Sequence, residues 1–230
     1  MELPPQIDNP RGNGSCVIEQ RQRWERCHGG QAYIHLLWYK TLRAGRSGRR
    51  LRRMKLDEAA MIEIRAERPD DIDAIRNVNE RAFDSTVEPG LVDRLRASNK
   101  AVVSLVATHD DRIVGHILFS PVTISDGPET VRAVGLAPMS VLPEYQNQGI
   151  GSRLVRDGLA ACKEAGFDIV VVLGHIDYYP RFGFTPAAND GLENEYGATD
   201  AFMALALREG ALEGIGGLVM FAPEFRETGC

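Results

Sequence analysis

The stretch whose reading decides the fold is Met139-Ser140-Val141-Leu142-Pro143-Glu144-Tyr145-Gln146-Asn147-Gln148-Gly149-Ile150-Gly151-Ser152. Its first residues close an apolar strand over 131–141, and Pro143 ends that strand. The two glycines open a helix from about Gly149 to Ala165, whose apolar face carries Ile150, Leu154, Val155, Leu159 and Cys162. A strand, a glycine-bearing loop and a helix N-terminus in this order form an anion site. The first N–H groups of a helix lack intrahelical partners, the helix dipole favours negative charge above them, and glycine lets a bulky phosphate approach the backbone. The bare G-x-G carries little information: three occur, Gly12/Gly14, Gly149/Gly151 and Gly214/Gly216, and only the middle one has a strand before it and a helix after. A Walker A loop would need G-x-x-x-x-G-K-[ST], which is absent. A dinucleotide fingerprint would need a third glycine where Leu154 stands.

Working outward, Met61–Arg65 alternates as a strand. Pro69-Asp70-Asp71-Ile72 opens a helix with Ile72, Ile75, Val78 and Phe83 on one face, and a second helical stretch covers Leu91–Ala97. Strands over Ala101–Ala107 and Ile113–Phe119 are joined at an Asp110-Asp111 turn. Beyond the long helix, Gly166 is its C-cap and Ile169–Leu173 is an apolar strand buried on both faces. A turn of helix near Tyr178–Phe182 and strands at Phe202–Leu207 and Leu218–Phe221 follow. The order predicts an α/β (α+β) domain over 61–230, with a β-meander ahead of a strand–helix–strand unit.

Charge divides the chain in two. Residues 1–60 carry a net +6, with Arg43, Arg46, Arg49, Arg50, Arg52 and Arg53 crowded together, and residues 61–230 carry −11. The only sustained apolar run before Met61 is Ala32–Tyr39, interrupted by His35, which is too little to support a core. Residues 1–60 therefore read as a basic, disordered extension. Contact with nucleic acid or anionic lipid, or a start of translation at Met54 or Met61, are the alternatives, and no nucleic-acid-reading motif is present. With 43% hydrophobic residues the remainder can pack a core. No apolar run approaches the ~18 residues of a membrane span, and the first thirty residues hold Arg11, Arg21, Arg23 and Arg26 without an apolar signal core. Cys16, Cys27, Cys162 and Cys230 form no C-x-x-C pair and have no His at metal-ligand spacing. No metal is expected, Cys162 reads as core, and the expected location is the reducing cytoplasm.

Gln146, Gly149 and Gly151 match the acyl-CoA signature Q/R-x-x-G-x-G/A, preceded by the V-x-P strand end at Val141 and Pro143. Tyr179-Pro180-Arg181-Phe182-Gly183-Phe184 matches a Y-x-x-x-G-F element after the next strand. Over about residues 61–222 the chain thus resembles the GNAT superfamily of N-acetyltransferases. The run from Val172 to Phe184 is similar to a bacterial subgroup whose acceptors are mostly unassigned. The resemblance implies the GNAT acyl-CoA N-acyltransferase fold, a mixed, mostly antiparallel twisted sheet flanked by helices, and transfer of acetyl from acetyl-CoA to a primary amine of a small molecule or peptide. It implies main-chain contacts from Met139, Ser140 and Val141 to the pantetheine arm. Gln146, Asn147, Gln148, Gly149, Ile150, Gly151 and Ser152 would hold the pyrophosphate, mainly by backbone N–H, with Gln148 and Arg153 as side-chain helpers. Tyr179 would be the general acid, with Tyr178 its alternative. For the general base, His175 is the candidate, and Glu80, Asp84 and Glu88 lie in the helical region that borders the acceptor site in such proteins. A non-catalytic acyl-CoA sensor of the same fold is the other function the residues admit. Neither a nucleic-acid nor a membrane partner is expected, and a homodimer is left open.

Overall fold

The computed structural model describes residues 62–127 and 130–227; the extension over 1–60 and the start at Met61 lie outside the described residues. The chain runs β1 (Glu63–Ala66), a 3-10 turn at Pro69–Asp71, α1 (Ile72–Phe83), α2 (Val87–Ala97), β2 (Val103–His109), β3 (Arg112–Ile124) and β4 (Ala133–Val141). It continues through α3 (Ile150–Glu164), β5 (Ile169–Leu173), β6 (Thr185–Pro186), β7 (Leu192–Asn194), β8 (Phe202–Ala206), β9 (Gly217–Met220) and α4 (Glu224–Glu227). The main path across the sheet is β1-β2-β3-β4-β5-β8-β6, and β9 joins the far end of β3 and, in parallel, β7. Every neighbouring pair on the main path is antiparallel except β4–β5. This is the mixed, mostly antiparallel sheet flanked by helices that the sequence implied.

Local sequence explains most element boundaries. Asp110 and Asp111 both adopt positive φ (49° and 59°), the left-handed pair a tight hairpin turn requires. After α3, Gly166 sits at φ +79°, its N–H bonds to the Lys163 carbonyl and the Phe167 N–H bonds to the Cys162 carbonyl, so the helix stops where the glycine was read as a cap. Helix α2 starts at Val87 rather than near Leu91. Pro89 falls in its first turn, where a missing N–H costs nothing, and the Val87 N–H donates to Ser85 Oγ instead. Strand β3 continues past Phe119 to Ile124, paired with β4 along one edge and with β9 at its end.

Helix α3 lies across β2 and β3 and buries Ile150, Leu154, Val155, Gly158 and Cys162; Leu159, read on the same face, is only half-buried. Fully burying Leu154 or Val155 stabilises the fold by about 2 kcal/mol each. A Cβ at Gly158 would stand 2.6 Å from the Phe119 ring, so glycine there permits the close packing that sets the helix height over the sheet.

Under α1, a buried polar chain ties β2, β3 and the residue after β1 to α1 and α2. Asn79 Nδ2 donates to the Ile75 carbonyl and lies 3.1 Å from His116 Nδ1. An amide donor at Nδ1 leaves the proton on Nε2, which donates to Ser104 Oγ at 3.0 Å. The Ser104 hydroxyl in turn donates to Glu67, whose other oxygen accepts from Arg96 Nε at 2.6 Å. Burial pushes the fully enclosed His116 imidazole down to about 4, so at neutral pH it is uncharged and its 3.9 Å approach to Glu67 is not an ion pair.

Candidate active site

Strands β4 and β5 part company. Their parallel pairing covers only Ala133–Gly135 against Ile169–Val171. Beyond it β4 stays with β3 as far as Val141↔Gly115, and β5 stays with β8 as far as Leu173↔Phe202. The register of β4 on β3 shifts between Ile117 and Phe119, at the level where the parting begins. The closed end is fastened by buried Asp168, which accepts from the Arg132 N–H at 2.9 Å and from Arg208 Nε at 2.6 Å, while its own N–H donates to the Arg132 carbonyl. The result is a wedge inside the sheet, fixed at one end and open at the other, lined along one side by the edge of β4 from Leu136 to Val141.

The glycine loop stands at the open end. Asn147 (φ 60°) and Gly149 (φ 84°) are left-handed, and Gly149 is the N-cap of α3. A left-handed residue followed by helical ones turns successive N–H groups toward one point. The first intrahelical bond here runs from the Arg153 N–H to the Gly149 carbonyl, so the N–H groups of Ile150, Gly151 and Ser152 precede it. Nothing lies within 4 Å of where a Cβ on Gly149 would be. Gly151 is crowded instead: a Cβ there would meet the Tyr178 hydroxyl at 3.0 Å and the Met139 sulfur at 3.3 Å. The end of β4, the start of α3 and the turn after β5 therefore converge on Gly151.

Several of these side chains make contacts within the protein. Gln146 Nε2 donates to the Val141 carbonyl at 2.9 Å, so this glutamine braces the loop against the strand and occupies a main-chain acceptor of β4. Gln148 Nε2 donates to the Glu144 carbonyl, and the Arg153 guanidinium donates to the Ile62 carbonyl at 2.7 Å, which ties α3 to the chain ahead of β1. Ser140 is buried opposite His116 on the next strand, so its main chain rather than its hydroxyl is what β4 can offer at the wedge.

The two adjacent tyrosines are sharply distinguished. Tyr179 opens a 3-10 turn (Tyr179–Phe182) and is fully buried, its ring set against Gly174 and edge-on to Tyr178 and Phe184. Burial first, then the neighbouring Tyr178, holds its phenol well above the ordinary tyrosine value. Tyr178 is half-buried; burial raises its phenol, opposed by a hydrogen bond from Ser152 and by the charges of Arg181 and Arg156. It is thus Tyr178 whose hydroxyl reaches the loop. His175 is half-buried and its carbonyl accepts from the N–H groups of Tyr178 and Tyr179, which fixes the turn that presents both rings. Glu80 and Asp84 are exposed, whereas Glu88 is 6% exposed and both its oxygens are enclosed without a basic partner among the described residues. Burial raises its carboxyl above the usual range, with opposing bonds from its own N–H and from Ser85.

Sequence reading missed Arg156 and Arg181. The Arg181 guanidinium lies 4.4 Å above the Tyr178 ring and that of Arg156 lies 5.5 Å from the Phe182 ring. Their separation in sequence hides the pairing, although Arg181 lies inside the Tyr179–Phe184 element and Arg156 one turn past the glycine loop. Cys162 is core as expected, with burial pushing its thiol up to about 12. Among the described residues no three His, Cys, Asp or Glu side chains gather as a metal site, and no helix is long and apolar enough to cross a membrane.

A helix start with N–H groups outside the intrahelical ladder thus stands beside a parted parallel strand pair on a mixed, mostly antiparallel sheet. The profile of the acetyltransferase (GNAT) domain family matches residues 63–187, more than half of the chain. The chain belongs to that family. An uncharacterized N-acetyltransferase of Escherichia coli K12, YhbS, is 38% identical over 164 residues, covering 70% of this chain and 97% of the relative. The crystal structure of E. coli YhbS with CoA superposes with a TM-score of 0.70 at 35% identity, covering 75% of this chain and 96% of that one. A GNAT acetyltransferase from Brucella melitensis with acetyl-CoA gives 0.61 at 37% identity, covering 73% and 99%.

Proposed function

We propose that this protein binds acetyl-CoA in the β4–β5 wedge and transfers its acetyl group to a primary amine of a small molecule or peptide. The observation that supports this most is the parting of β4 from β5 directly above the glycine loop. A slender pantetheine arm can lie along the bared edge of β4 as an added strand would, its pyrophosphate on the N–H groups of Ile150, Gly151 and Ser152. Relatives solved with CoA and acetyl-CoA support the same cosubstrate.

The amine nitrogen attacks the thioester carbonyl carbon in a ternary complex. As the C–N bond forms, the C–S bond breaks, the sulfur takes a proton and the nitrogen gives one up. Tyr179 is the proposed acid, since a phenol held above its ordinary value stays protonated and can donate to the departing sulfur. His175, on the same turn, is the proposed base. Glu88 is the second candidate, favoured by its buried carboxyl without a cation. The −11 balance of residues 61–230 favours a cationic acceptor. Cysteine usage supports a cytoplasmic setting.

A non-catalytic acyl-CoA-binding module is the second reading, favoured by the complete enclosure of Tyr179. CoA release against a panel of amines and peptides separates the two: turnover with any acceptor supports the transferase, and tight binding without turnover on any of them supports the module. In the active assay, Glu88→Gln with unchanged kcat leaves the base role with His175, and the reverse pattern for His175→Gln moves it to Glu88.

A further inference from the structure

Resting on the proposed use of acetyl-CoA, we infer that Arg156 and Arg181 form a second anion site that takes the 3′-phosphate of the cosubstrate and selects CoA over its 3′-dephospho form. Both guanidiniums gather on one aromatic cluster: Arg181 lies 4.4 Å over Tyr178 and 6.0 Å from Phe182, and Arg156 lies 5.5 Å from Phe182. Both are exposed. Residues 61–230 hold 26 acidic against 15 basic side chains, so a surface arginine here has carboxylates in surplus. Yet among the described residues neither forms an ion pair; Asp157 and Asp177, their near neighbours in sequence, engage neither. Arg65, Arg76, Arg81, Arg96, Arg112, Arg208 and Arg226, by contrast, meet carboxylates, and Arg132 and Arg153 meet main-chain carbonyls; Arg68 and Arg94 also lack an ion pair among the described residues, but neither lies over a ring.

Position points to the ligand. Tyr178, under Arg181, carries its hydroxyl to Gly151, and Arg156 follows Gly151 by about 7.5 Å along α3. CoA has three phosphoryl groups: two in the pyrophosphate, which the loop N–H groups can hold, and a monoester on the neighbouring ribose. The monoester is the more highly charged group and the loop has no cation for it, since Arg153 is turned to the Ile62 carbonyl. Stacking on a ring orients a guanidinium and leaves its edge N–H donors free for phosphate oxygens, which suits arginine better than lysine.

The test is calorimetric titration of the full chain with CoA and with 3′-dephospho-CoA, for wild type, Arg156→Gln, Arg181→Gln and the double variant. Wild type should bind CoA about tenfold more tightly at low salt, as expected for exposed charge-assisted contacts, and the preference should narrow as salt rises. Each single variant should lose part of the preference. The double variant should bind both forms within twofold of each other, at the wild-type affinity for the dephospho form. Equal wild-type affinities, or a preference that survives in the double variant, would overturn this site alone. Binding of neither ligand by wild type would overturn the acetyl-CoA reading, and this site with it. Melting temperatures of the variants within about a degree of wild type show that packing on Phe182 and Tyr178 is not what was lost.

Discussion

Two regions of the sheet treat their polar groups in opposite ways. Under α1, the chain from Asn79 through His116, Ser104 and Glu67 to Arg96 runs inside the protein, each member donating to or accepting from the next. At the open end of the wedge, Arg156 and Arg181 lack carboxylates, the first N–H groups of α3 precede any intrahelical bond, and β4 runs on past its pairing with β5. The first arrangement holds the fold together whether or not anything is bound. The second, on the proposed function, is completed by an anionic, extended ligand. Stability should therefore respond to changes in the first region and affinity or turnover to changes in the second.

The largest effect expected belongs to Gly149→Glu. A carboxylate there would enter the space the pyrophosphate needs and repel its charge, at a left-handed φ that a side chain tolerates poorly. Acetyl-CoA affinity measured by calorimetry should fall by at least about 100-fold, equivalent to about 3 kcal/mol, with the His116 end and the circular dichroism spectrum unaltered. Unchanged affinity would remove the loop from the cofactor site.

Next come the tyrosines, which break the comparison within the site itself. Tyr179→Phe should lower kcat on the order of 100-fold with little change in KM for acetyl-CoA, since its hydroxyl is proposed to act on charge that develops only in the transition state. Tyr178→Phe should chiefly raise KM, because its hydroxyl stands at the loop. If the two phenotypes are exchanged, Tyr178 is the acid and Tyr179 is a packing residue.

The His116 end predicts a pH dependence of stability. The imidazole binds a proton near 6.5 when unfolded and only near 4 when folded, so the unfolded state holds more protons between those values and stability falls as pH drops through that window. The loss by pH 4 should be about 3 kcal/mol from this group alone. Glu67, held below its usual range against the cost of burial by Arg96 and Ser104, adds a loss in the same direction at lower pH. Urea unfolding at intervals from pH 7 to 4 checks this, and His116→Gln should flatten the slope. A slope in wild type no steeper than in that variant would show that His116 does not titrate this way.

The smallest expected effect is that of removing residues 1–60. We propose that the acetyltransferase domain is 61–230 and that the basic extension lies outside it; the truncated protein should melt within a few degrees of the full chain and bind acetyl-CoA equally. Loss of solubility or binding would place the boundary earlier.

These outcomes bear on what the sequence could convey. The loop and α3 were legible because glycine, a strand-ending proline and a helical stripe act locally, and β5 because Ile169–Leu173 is apolar throughout. The parting of β4 from β5 was readable only through resemblance, since which neighbour a strand follows is settled by β3 and β8, far away in sequence. The choice between Tyr178 and Tyr179 depends on which ring one 3-10 turn encloses and which it sends to the loop, about which adjacent identical residues say nothing. His116 looked like any member of an apolar strand; its role arises from Asn79 and Ser104 on other elements. Gln146 matched its motif, yet its side chain braces Val141. A motif marks where a residue stands and leaves open which of its atoms do the work.

The wedge also bears on solubility. A bared strand edge at the margin of a sheet invites other chains to add to it and so to aggregate. Here the bared edge of β4 is internal, with β3 paired on its other side and β5 held to β8 across the gap. An incoming polypeptide strand, bulky with side chains on both faces, would have to pry that pair farther apart against the Asp168 clamp. A pantetheine arm, with no side chains alternating across both faces, would not, so a wedge suited to the proposed cosubstrate is poorly suited to an added peptide strand.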